Sequence, residues 1–131
     1  MNESIFTKII NGEIPSHKIY EDEKTYVFLD IHPVTKGHAL VVPKKQVEFL
    51  WDLEREDYLA VMDTVQKISR HFRKTLDVPY VGMKVVGTDV PHAHVHILPF
   101  NESYEFHGKQ DFDGLVDHEE LVSLRHKLEI K

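Results

Sequence analysis

The chain has no cysteine among its 131 residues. That removes disulfides, thiolate zinc ligands and cysteine nucleophiles, and it points to an intracellular protein. It also lacks any excess of positive charge: Lys and Arg total 16 against 22 Asp and Glu, a formal net charge of −6. No broad basic face is therefore available to nucleic acid, and a nucleotide, if bound, must be gripped locally. No apolar run approaches the roughly 18 residues of a membrane span. The opening Met1-Asn2-Glu3-Ser4 has neither the basic nor the apolar part of a leader. The expected location is cytoplasmic, with no membrane partner. With 41% hydrophobic and 29% charged residues, the composition suits a single domain over 1–131 with a real core.

What the chain does have is His92-Ala93-His94-Val95-His96-Ile97-Leu98, three imidazoles at every second position. In an extended strand, side chains alternate faces, so His92, His94 and His96 share one face and Ala93, Val95 and Ile97 the other. At a strand rise of about 3.3 Å per residue the three stand roughly 6.6 Å apart, too far to bond one another but placed to surround one small group. That group is a phosphate or a metal ion. A lone histidine is ordinarily a surface or packing residue, but three in register need a compensating role, because imidazoles crowded at one spot suffer desolvation and mutual repulsion.

The rest of the chain reads as a sheet with flanking helices. Ser4 caps a short helix over 5–10 that Asn11-Gly12 ends; by local pattern its apolar residues pack on a sheet. Lys18-Ile19-Tyr20 and the run from Thr25 to Ile31 form two strands around the acidic turn 21–24, and His38 opens a third strand that Pro43 stops. Asp30 closes the second strand; its carboxylate suits either a turn or the two hydroxyls of a ribose. Lys44-Lys45 is read as a solvated pair rather than a phosphate contact. Tyr58, Val61, Met62, Val65, Ile68, Phe72 and Leu76 make the apolar stripe of a long helix, with Asp52 as the expected N-cap and Pro79 beyond its end. Residues 80–86 form a fourth strand, turning through Gly87-Thr88-Asp89-Val90-Pro91 into the histidine strand, so that the two make a hairpin. A polar, aromatic tail from Asn101 leads to a helix opened by Asp117 and bearing Leu121, Leu124 and Leu128. The fold class is α+β, an antiparallel sheet of about five strands with one long helix and a short helix at either end.

Residues 92–98 resemble the signature of the histidine triad (HIT) superfamily of nucleotidyl hydrolases and transferases. Residues 4–15, 28–33 and 37–45 resemble segments of its Hint branch, so the likeness covers about 4–100, with 101–131 as a tail. The resemblance implies that His94 is the nucleophile, forming a nucleotidyl-histidine with the α-phosphorus. It implies that His92 and His96 orient His94 and hold phosphate oxygens, that His38 supports the network, and that Asp30 takes the ribose hydroxyls. Ile5, Phe6, Ile9, Phe28 and Ile31 would wall the base, and Thr88 and Asp89 stand in the loop that meets the phosphate or leaving group. The implied substrates are nucleoside 5′-phosphoramidates or dinucleoside polyphosphates, with a purine base expected, no cofactor, and a homodimer joined through the long helix and a sheet edge.

Imidazole chemistry fits these roles. Its ordinary pKa near 6.5 leaves it unprotonated and nucleophilic at neutral pH, and a phosphorus–imidazole bond is readily hydrolysed, splitting one hard displacement into two easier ones. The chain also departs from the family. Zinc-carrying bacterial relatives have a Cys-x-x-Cys pair and a histidine where this sequence has Ser4, Thr7 and Gln46, so no structural zinc is expected. The loop before the triad is short, with Gly87 in place of an asparagine and Asp89 in place of a hydroxyl residue, and a carboxylate near phosphate is repulsive. Two other readings stand beside the hydrolase: a nucleotide-binding regulatory protein with weak or vestigial turnover on the same fold, and a metalloenzyme using the histidine face.

Overall fold

A computed structural model describes residues 2–131. The elements in chain order are α1 (Ile5–Ile10), β1 (Lys18–Glu21), β2 (Thr25–Leu29), β3 (Ala39–Pro43), a 3₁₀ turn (Leu50–Asp52), α2 (Arg55–Leu76), β4 (Tyr80–Lys84), β5 (Val95–Phe100), α3 (Ser103–Phe106) and α4 (His118–Leu128). The strands form one antiparallel sheet in the order β1-β2-β3-β5-β4. This is the α+β architecture expected from the sequence.

The sheet is covered on both faces, and the two-residue period of its strands assigns each side chain to one of two layers. Val27, Leu29, Ala39, Val41, Val95 and Ile97 face a large core completed by Val61, Val65, Ile68 and Phe72 of α2 and by Leu121, Leu124 and Leu128 of α4. Tyr26, Phe28, Leu40 and Val42 face the other way and meet Phe6 and Ile9 of α1. The imidazoles lie on this second, thinner side. α1 thus packs on the sheet, as its local pattern predicts, and its Phe6 also borders the histidines.

Three sequence expectations are corrected. Asp52 does not cap α2: it lies in the 3₁₀ turn, and Glu54 occupies the N-cap position without a side-chain bond. The histidine strand does not begin at His92. Pro91 has no N–H, the His92 N–H bonds the Val90 carbonyl, and the Ala93 N–H bonds the Val47 carbonyl at 2.7 Å, so the chain joins the sheet only at Val95. The predicted tight turn is accordingly a longer connection over 85–94. The tail contains an unpredicted helix, α3, fixed by reciprocal bonds between Glu102 and Glu105. Its Phe106 lies where a Cβ on Gly82 would come within 2.5 Å of the ring, so the side chain missing at Gly82 makes room for the tail against β4.

Candidate active site

Ala93, Val95 and Ile97 enter the aliphatic core, leaving His92, His94 and His96 buried on the α1 side. The alternation of faces therefore holds, although residues 92–94 are not regular strand. The His94 and His96 rings lie edge to face with centroids 5.1 Å apart, and Phe6 meets the His94 ring at 5.0 Å.

The hydrogen bonds assign the protons. His94 Nδ1 lies 2.7 Å from the His92 carbonyl; a carbonyl only accepts, so Nδ1 carries the hydrogen and Nε2 of the neutral ring keeps its lone pair. His92 Nε2 donates to the Pro43 carbonyl at 2.8 Å, so its Nδ1 is the acceptor and takes the Ser4 hydroxyl hydrogen at 2.7 Å. Ser4 Oγ also accepts from Thr7 N–H at 3.0 Å, capping α1. Gln46 Oε1 accepts from Ser4 N–H at 2.8 Å and from the Thr7 hydroxyl at 2.7 Å. Ser4, Thr7 and Gln46 are thus joined by hydrogen bonds around His92. Both ring nitrogens of His92 are thus engaged by protein partners, and its backbone carbonyl accepts from His94 Nδ1.

A second chain runs from the loop after β2. Val34 N–H donates to His38 Nδ1 at 3.0 Å, which leaves the hydrogen on His38 Nε2, and this donates to His96 Nδ1 at 2.9 Å. The hydrogen of His96 is therefore on Nε2. That atom is buried and has no hydrogen-bond partner among the described residues. Burial, the neighbouring His96 and the Lys84 charge push the His38 imidazole down to about 3, and burial with His94 and Lys84 pushes His96 down to about 4. Both rings are neutral across the physiological range.

Asp30 sits beside this chain. Its Oδ1 accepts from His32 N–H at 2.8 Å, which is turn chemistry, and its Oδ2 accepts from Gln110 Nε2 at 2.8 Å. Burial raises its carboxyl, opposed by these two donors. Asp30, His38 and His96 bring potential metal-ligating atoms within 4.8 Å of one another, but a cation there would require His38 and His96 to give up their mutual bond.

The expected nucleoside wall divides in two. Phe6, Ile9 and Phe28 are buried, with the Phe6 and Phe28 rings 5.5 Å apart, whereas Ile5 and Ile31 are open to solvent. Thr88 and Asp89 are exposed in the connection before the triad. Lys44 pairs with Glu21 at 2.7 Å and Lys45 with Asp57 at 3.2 Å, so both are engaged in ion pairs away from the imidazoles. A cavity of about 400 Å³ between the 31–38 loop and α4 shares His38 with the cluster but does not reach the triad. The residue that sequence reasoning missed is Gln110, whose bond to Asp30 spans 80 positions and has no local signal.

The arrangement sets the His94 ring, with Nδ1 committed to the His92 carbonyl, beside an unsatisfied N–H donor on His96, next to an apolar wall and a carboxylate. Comparison with known proteins gives the family. "Protein hit" of Bacillus subtilis is 41% identical over 119 residues, covering 86% of this chain and 77% of its own. The adenosine 5′-monophosphoramidase HNT1 of Saccharomyces cerevisiae is 36% identical over 96 residues, covering 72% of this chain and 61% of its own. The crystal structure of a Hit-like protein from Bartonella henselae superposes with a TM-score of 0.85 at 32% identity, covering 98% of this chain and 95% of that one. The family model described as the HIT domain matches residues 11–103, and the chain belongs to that family.

Proposed function

We propose that the protein is a nucleotide hydrolase that cleaves the α-phosphate bond of nucleoside 5′-phosphoramidates or dinucleoside polyphosphates through a nucleotidyl-His94 intermediate. The observation that carries this reading is the buried, unpartnered N–H of His96 beside the His94 ring. A buried donor without an acceptor is costly, by about 1–3 kcal/mol, and a phosphoryl oxygen at that place would satisfy it. His94 Nε2 attacks the α-phosphorus, forming a phosphorus–nitrogen bond while the bond to the amine or phosphate leaving group breaks; an amine departs with a proton taken from solvent, which the attacking water of the second step gives back. Charge that develops on the phosphoryl oxygen is stabilised by His96 Nε2–H, a kind of donor whose loss typically costs about 10²-fold or more. Water then attacks the phosphorus, the bond to His94 breaks, and a nucleoside monophosphate leaves.

Asp30 takes the ribose hydroxyls, and Phe6, Phe28, Ile9, Ile5 and Ile31 border the base. The name carried by the yeast relative favours adenosine and an amine leaving group. Two copies of the chain join through α2 and the free edge of β4, where Leu59, Tyr80, Met83 and Val86 are exposed. The exposed carboxylate of Asp89 in the connection before the triad favours a second reading, a nucleotide-binding regulator with slow turnover; single-turnover kinetics separates the two.

The test is trapping. A denaturing quench at alkaline pH, where the phosphorus–imidazole bond survives, during turnover of adenosine phosphoramidate should give an adenylylated peptide containing His94, absent in His94→Ala. Undiminished turnover by His94→Ala overturns the proposal.

A further inference from the structure

Gln110 lies in the tail, beyond the residues that the family model matches. Its amide nitrogen makes two bonds, to Asp30 Oδ2 at 2.8 Å and to the His32 carbonyl at 2.9 Å. With the His32 N–H on Oδ1 at 2.8 Å, each carboxylate oxygen has one protein donor. The plane of the carboxylate is therefore fixed from both sides, and each oxygen retains a second lone pair. About a tenth of the side chain stays open to solvent. Two fixed acceptor atoms on one carboxylate, each with one lone pair left, match two vicinal hydroxyls better than they match one. Phe112, two residues on, meets the His32 ring at 5.8 Å, so the tail is stitched to this turn by a ring contact as well as by the amide.

We propose that Gln110 is a positioning residue for ribose recognition: it holds the Asp30 carboxylate so that its free lone pairs accept the 2′ and 3′ hydroxyls together, which makes the C-terminal tail a determinant of ribonucleotide selectivity. This rests on the reading of Asp30 given under Proposed function. The alternative, a merely structural strap, differs in what it predicts. A strap that only steadies the fold affects all nucleotides alike, whereas a positioning residue affects only those that carry the diol.

The experiment measures binding of AMP and of 2′,3′-dideoxy-AMP by calorimetry to the full chain and to Gln110→Leu and Gln110→Glu. The glutamate variant keeps the shape and exchanges the donor for an acceptor, so it serves where leucine perturbs the tail. Wild type should prefer AMP. Each variant should lose roughly tenfold in AMP affinity, the scale of one hydrogen bond to a charged group, with dideoxy-AMP unchanged within about twofold. Equal weakening of both nucleotides, or unchanged AMP affinity, overturns the role of Gln110 alone. A wild-type protein that binds both equally overturns the ribose assignment of Asp30 and this proposal with it.

Discussion

Ser4 and His92 are 88 residues apart in the chain and 2.7 Å apart in space. The same hydroxyl caps α1 by accepting the Thr7 N–H. One side chain thus caps α1 and completes the hydrogen bonding of the His92 ring, while the backbone carbonyl of His92 holds His94 Nδ1.

Ser4→Ala should therefore reduce kcat by about tenfold with little change in KM, the loss of one hydrogen bond net of relaxation, and Ser4→Thr should restore it. Loss of the cap should also cost about 1 kcal/mol of stability. Nitrogen-15 spectra of the imidazoles discriminate this from a general loosening: in the alanine variant only the His92 Nδ1 signal should shift, as it loses its hydrogen-bond donor, while Nε2 stays protonated against the Pro43 carbonyl.

His96→Ala removes the unpartnered donor and should lower kcat by about 10²-fold. His38→Ala leaves the ring in place but releases its Nδ1, so a smaller loss is expected, accompanied by a mixed tautomer at His96. Steady-state kinetics of the pair and the double variant should be strongly non-additive, since both act on one nitrogen.

The depressed imidazoles make stability depend on pH. His38 and His96 titrate near 3 and near 4 in the folded protein and near 6.5 when unfolded. A lowered folded value means that the unfolded chain binds the proton first. The full contribution is present above about pH 6.5 and declines as pH falls, His96 losing until about 4, at up to about 1.4 kcal/mol per pH unit for each ring. Urea unfolding between pH 7.5 and 4.5 should show this slope, and replacement of His38 by phenylalanine should reduce it. A flat profile would contradict the assignment of neutral buried rings.

β4 has a partner on one side only, and its Met83 is exposed. If two chains join at this edge, Met83→Glu should convert a two-chain mass to a one-chain mass in light scattering. A wild-type mass of one chain removes the dimer from the account.

Much of this was legible in the sequence, and the failures have physical causes. The two-residue period around His94 correctly sorted imidazoles from aliphatics, because that sorting depends on which layer each side chain enters. It overextended the strand, because backbone pairing at Ala93 goes to Val47 outside the sheet, which no local pattern reports. Ser4 was readable as a cap but not as the partner of His92, and Gln110 was not readable at all; both contacts join distant parts of the chain. The α3 capping box was hidden because Glu102 stands where a serine or threonine is usual. The partners of the His92 ring, Pro43 and Ser4, were not readable either, because only the fold brings them to it.

The two-sided sheet has a consequence for how β5 tolerates change. Sliding that strand by one residue against β3 would push His96 into the layer occupied by Val95 and Ile97 and turn those aliphatics toward Phe6. Alignment of the His96 ring is thereby guarded by the greasy side chains behind it, so a substitution at Ile97, on the opposite face of the strand, can still misplace the imidazole beside it.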